Sequence, residues 1–167
     1  MTMVKASLDA SFWINAYQCG LTLFLPEYFQ IFVCSEVERE ILYPLTTKGP
    51  PVAPALWFQE WCNTGIITRQ ELVQPINWFP LGKNTAIALA IENNYLLLID
   101  DQNAYHFARS RGIKVTNSVD FVLLLYNANK LSYPTAVSTI SRLGLGKDLA
   151  RTALAALAVL ARRKGER

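Results

Sequence analysis

Apolar residues along this chain gather into two kinds of run. The first kind is short, mostly apolar and rich in β-branched or aromatic side chains: Met3 to Leu8, Tyr28 to Cys34, Ile66 to Thr68, Tyr95 to Ile99 and Gly112 to Thr116. Runs of this length, bounded by turn-forming or polar residues, predict buried strands. The second kind predicts helices: Phe12 to Tyr17, Glu36 to about Tyr43, Ala55 to Cys62, Lys83 to Asn93, a segment from Asp101 to about Arg111, Val119 to Asn129, one begun by Pro134, and Leu149 to Arg163. Gly20 closes the first helix as a C-cap does. Pro26 breaks the segment after it. Ser35 followed by Glu38 has the capping-box spacing, Pro44 ends the helix that follows, and Asn117 or Ser118 caps a later one. Thr46 to Pro54 reads as a loop and Gln74 to Pro80 as irregular.

Strands alternate with helices of about ten residues, and the best strands are apolar throughout. An antiparallel sheet with one wet face would alternate instead. The pattern therefore predicts an α/β fold, a three-layer α/β/α sandwich around a central parallel sheet. No repeat, low-complexity tract or linker interrupts it, so one domain over 1–167 is expected. Its terminal helix, 147–163, is nearly all Ala and Leu at its centre and must pack on the body, a twin subunit or another protein.

Composition narrows the class. Of 167 residues, 51% are hydrophobic and 17% charged, which excludes a disordered chain. No apolar run approaches the ~18 residues a membrane span requires. The opening MTMVKASLDA lacks the apolar core of a secretory signal, so a cytoplasmic, membrane-free protein is expected. The net charge is +3, but from Arg142 onward seven basic residues face two acidic ones, leaving residues 1–141 at −2. Cys19, Cys34 and Cys62 are widely spaced and there is one histidine, which argues against structural zinc or a disulfide framework. The cysteines read as buried small hydrophobes.

Candidate chemistry lies where strands end. Sites in open parallel sheets collect at the carboxyl ends of the strands. Asp9 follows the first strand, and Asp100-Asp101 follows Leu96 to Ile99. Each Asp could simply cap the next helix. Together they would repel on one rim, which suggests a hard divalent cation able to activate water against a phosphodiester.

Here the motifs resemble a known family. Asp9-Ala10-Ser11 with Ile14-Asn15 resembles the D-x-S…I-N opening of PIN domains. VCSEVEREIL (33–42), LGKNTAIALAIE (81–92), LLLIDDQNAYHFA (96–108) and Gly112 to Thr116 are similar, in order and spacing, to segments of a prokaryotic PIN subgroup. The resemblance implies a PIN-like α/β/α fold and a Mg²⁺- or Mn²⁺-dependent ribonuclease, often the toxin of a toxin–antitoxin pair. By motif it implies Asp9, Glu40, Asp100 and Asp101 as catalytic acids, with Asp9, Glu40 and Asp101 as metal ligands. Ser11, Asn15 and Thr116 would line the substrate pocket. It also implies RNA as substrate, a small antitoxin protein as partner, and a homodimer.

One segment departs from the family pattern. Where the subgroup has G-E-A-E, this chain has Gly82-Lys83-Asn84-Thr85. Both glutamates are lost and a lysine replaces one. Two readings follow: a nuclease with an incomplete acidic site, or a catalytically degenerate PIN fold that binds a protein or nucleic acid. A flavodoxin-like protein is the remote third, and no Gly-rich phosphate loop supports it.

Other residues are weaker candidates. Arg109 and Arg111, with Lys114, could meet a phosphate backbone, or could be a solvated helix end. His106 reads as a partly exposed helical residue. Trp57 and Trp61 lie at i, i+4 and suit core or dimer packing better than base stacking; Trp13 and Trp78 complete the set.

Overall fold

The computed structural model describes residues 2–46, 52–74, 77 and 81–166. Trp78 and most of the 46–54 and 74–80 segments lie outside them. The chain divides into two compact units, 1–116 and 117–167.

The first unit is built on a parallel sheet. Its strands are β1 (Val4–Leu8), β2 (Phe29–Val33), β3 (Ile67–Arg69), β4 (Leu96–Leu98) and β5 (Val115–Thr116), in the order β3-β2-β1-β4-β5. Ser7 pairs with Phe32 and Leu97 on one face, and Leu8 with Leu98 on the other. All five are buried, although neighbouring strand residues face opposite ways, so both faces of the sheet are covered. This is why the strands read as mostly apolar runs, and it makes the fold a three-layer α/β/α sandwich. The chain steps outward from β1 to β3, then returns to place β4 on the other side of β1. The switch point thus lies between the carboxyl ends of β1 and β4.

The helices of this unit are α1 (Ala10–Gln18), α2 (Leu25–Tyr28), α3 (Ser35–Thr46), α4 (Ala53–Asn63), α5 (Leu81–Asn93) and α6 (Gln102–Ser110). Helix α5 sits on the Ser7 face, where the buried Ser7 hydroxyl donates to the Ala86 carbonyl at 2.7 Å. Leu89 packs there with Phe32 and Cys34, and Phe32 stacks on Tyr95 at 4.7 Å. Helix α1 buries Trp13 completely; its ring meets the edges of Phe58 and Trp61 from α4 at 5.2 and 5.3 Å. Its indole N–H donates to the Pro54 carbonyl, so the ring carries no unpaired polar group.

Three local expectations differ from the structure. Pro26 opens α2 in its first turn instead of breaking the chain, because the missing N–H is unpaired there anyway. Helix α3 continues through Pro44, whose place in the last turns forfeits only the bond to the Glu40 carbonyl. The expected capping box at Ser35 does not form. The Ser35 hydroxyl donates to the carboxylates of Glu71 and Glu36, and Glu38 holds Arg69 instead. Partners more than thirty residues away outcompete the local cap.

The second unit comprises α7 (Ser118–Asn127), α8 (Tyr133–Arg142) and α9 (Lys147–Arg163). A capping box does occur here, between Asn117 and Asp120. Helix α9 packs on α7 and α8 through Ala153, Leu157 and Ala161, one residue per turn. Lys164 then locks its end, with its ammonium 4.4 Å above the Tyr126 ring and bonded to the Tyr126 carbonyl and Asn129. Among the described residues, no helix is long and apolar enough to cross a membrane.

Trp13 and Trp57 should separate sharply in unfolding experiments. Trp13→Ala is expected to cost about 3–5 kcal/mol, while Trp57→Ala, at a residue 39% exposed, should cost about 1 kcal/mol or less. Urea titration followed by circular dichroism checks both.

Candidate functional site

The switch point gathers the acids. Asp9 directly follows β1, and its N–H donates to the Leu98 carbonyl at 2.9 Å, which ties the ends of β1 and β4 together. Its side chain caps α1: Oδ2 accepts the Ser11 N–H at 3.0 Å and also the Ser11 hydroxyl. Ser11 Oγ in turn accepts the Asp100 N–H at 3.0 Å. Asn15 lies four residues beyond Ser11 on the same face of α1, and its amide donates to Asp100 Oδ2 at 2.7 Å. A continuous hydrogen-bonded chain therefore runs Asp9–Ser11–Asp100–Asn15. One oxygen stands outside it. Among the described residues, Asp9 Oδ1 is buried without a hydrogen-bond partner.

Asp101 behaves differently from its neighbour. Oδ1 caps α6 by accepting the Ala104 N–H at 2.9 Å. Oδ2 faces the Lys83 ammonium at 3.8 Å. Lys83 enters from α5, at the position where the family segment has a glutamate. Its charge also reaches further into the rim, acting favourably on the carboxylates of Asp9 and Glu40.

The electrostatics follow from burial. Desolvation pushes the Asp9 carboxyl above its ordinary range; the Ser11 bonds and Lys83 oppose it, and Asp101 adds to it. Glu40, at the solvent edge of α3, is raised by partial desolvation and then by the Asp9 charge, with Lys83 again opposing. Glu40 and Asp9 are thus within electrostatic reach of each other.

A resident divalent cation does not fit this arrangement. Among the described residues, no three His, Cys, Asp or Glu side chains form a group able to hold a metal ion. An ammonium already faces Asp101. Asn84 and Thr85, beside Lys83, are buried and uncharged. Among the described residues, the unpartnered Asp9 oxygen is the feature that would welcome a cation.

The remaining sequence candidates are scattered. Thr116 pairs in register with Leu98, near the rim, and its carbonyl accepts the Ile99 N–H. Arg109 and Arg111 are not at the rim: α6 starts there and carries them toward the amino ends of the strands. His106 is exposed on the same helix, its ring edge-on to Tyr105. Cys34 and Cys62 are buried, their thiols pushed up to about 12 and about 11, so neither is a nucleophile at neutral pH. Sequence reasoning placed Asn15 at the substrate pocket but missed its bond to Asp100. The i, i+4 spacing from Ser11 was the available signal.

A family model described as a PIN domain matches residues 7–145, and the chain belongs to that family. The match spans both the acidic rim and the lysine that interrupts it, and it stops short of α9. No curated protein matches the chain. Membership gives the chain a nuclease-type fold associated with nucleic acid.

The raised Asp9 carboxyl makes stability depend on pH. A folded-state value above the unfolded one means the contribution is full below about 4 and is lost as pH rises through the folded value. Asp9→Asn removes the dependence. The urea midpoint of the variant, relative to that of the wild type, should therefore rise as the pH increases above about 4. A constant difference across that range would contradict the burial of an ionisable carboxyl here.

Proposed function

We propose that this chain is a PIN-fold module that binds RNA at its carboxyl-end rim while its hydrolytic centre is quenched. The supporting observation is Lys83, whose ammonium faces Asp101 at 3.8 Å in the midst of the family's acidic positions. A fixed ammonium neutralises those acids without offering an open coordination position or polarising a water as a divalent ion does. It can still attract a phosphodiester. Thr116 lies near the rim, the Ser11 hydroxyl is held between Asp9 and Asp100, and Asn15 holds Asp100 in place. In this reading Lys83 is the main electrostatic contact, held by Asp101 with the charges of Asp9 and Glu40 nearby.

A second reading has one observation in its favour, the buried and unpartnered Asp9 Oδ1. In that reading the chain is a Mg²⁺- or Mn²⁺-dependent ribonuclease with Asp9, Glu40 and Asp101 as ligands. It would act as a toxin held by a small antitoxin protein, as a homodimer in the cytoplasm. It requires Lys83 to leave Asp101 when the cation arrives.

RNA cleavage with Mn²⁺ separates the two. On the first reading the wild type cleaves no faster than Asp9→Asn, and the double variant Lys83→Glu/Thr85→Glu gains an Asp9-dependent activity of roughly tenfold or more over wild type. Wild-type cleavage that Asp9→Asn abolishes would overturn the first reading and support the second.

A further inference from the structure

Helix α6 links the two rims of the sheet, and the rim site leaves most of its solvent face unused. Asp101 caps its first turn at the carboxyl end. Gln102, Asn103, His106, Arg109 and Ser110 are exposed along it at helical spacing, so they share one face. From Gln102 to Val119 the sequence contains no carboxylate. Just past the helix, Arg111 and Lys114 reach a cleft of about 370 Å³ at the amino ends of β4 and β5. Ile91, Ile113, Asn94 and Tyr95 also line it; its described lining holds two cations and no carboxylate.

The cations are positioned by the helix itself. The Arg111 guanidinium lies 4.9 Å above the Phe107 ring, and Arg109 donates to the Tyr105 hydroxyl at 3.4 Å. Stacking of this kind fixes the plane of a guanidinium, the geometry that suits phosphate oxygens. Nine residues of α6 cover about 14 Å, the span of about four phosphates in a stacked strand. A body with net charge −2 over residues 1–141 makes this carboxylate-free stretch stand out.

We propose that the exposed face of α6 and the Arg111–Lys114 cleft form a track for the phosphate backbone of single-stranded RNA leaving the carboxyl-end rim. The inference rests on the reading that the rim takes RNA. It assigns Arg109, Arg111 and Lys114 to positioning the strand beyond the rim, where the described cleft lining carries no carboxylate. No base is read along the track, because its contacts are to the backbone.

The test is salt-dependent binding of two fluorescently labelled single-stranded RNAs to the full chain. One has about 12 nucleotides and reaches the track, and one has about 4 and covers the rim. The triple variant Arg109→Ala/Arg111→Ala/Lys114→Ala changes only exposed side chains, and a thermal melt checks its folding. For the long RNA, the slope of log affinity against log salt should become shallower by about 2, at about 0.7 per lost contact. The charge-keeping variant Arg109→Lys/Arg111→Lys should retain the slope, and affinity for the short RNA should not change. An unchanged slope on the long RNA overturns the track and leaves the rim reading standing, as does an equal loss on both RNAs. If the wild type binds neither RNA, the rim reading fails along with the track.

Discussion

In the proposed function, the contact between Lys83 and Asp101 governs how the rest of the site can behave. Parallel strands with covered faces bring Asp9 and Asp100-Asp101 to one rim, and Glu40 adds its charge from α3. Carboxylates drawn out of water need a cation nearby, since the penalty for isolated buried charge is far larger than any single hydrogen bond. A divalent ion and an ammonium both meet that need. They differ in what they permit: an ion offers open coordination positions and lowers the pKa of bound water, and an ammonium on a four-carbon stem does neither.

The scaffold is therefore separable from the chemistry. Asp9 still caps α1 and Asp101 still caps α6, two roles that stabilise helix starts whether or not any ligand is present. The chain Asp9–Ser11–Asp100–Asn15 still ties β1 to β4 across the switch point. These contacts explain how a fold associated with nucleases keeps its acidic rim intact when one position turns basic. Among the described residues, the buried side-chain oxygen left without a hydrogen-bond partner is Asp9 Oδ1.

Most of the fold was legible because both faces of the sheet are covered. That condition writes mostly apolar runs into β1, β2 and β4, and the aspartates that follow β1 and β4 mark the rim. The Lys83 substitution was equally visible, because it breaks a motif at a fixed distance before Asp100. The features that could not be read depend on distant partners. Ser35 has a perfect local cap spacing, yet it turns to Glu71, and Glu38 turns to Arg69. Arg109 and Arg111 look close to Asp101 in sequence, but a helix that starts at one rim must end near the other. The bond from Asn15 to Asp100 joins residues 85 positions apart, which only the parallel crossover brings together.

Manganese binding measured by electron paramagnetic resonance tests the central claim most directly, because it requires neither substrate nor turnover. If Lys83 occupies the electrostatic role of the cation, the wild type should bind Mn²⁺ negligibly, and Lys83→Met should bind it at least about tenfold more tightly. Adding Asp9→Asn to Lys83→Met should abolish that gain. A wild type that binds Mn²⁺ as tightly as Lys83→Met would contradict the claim.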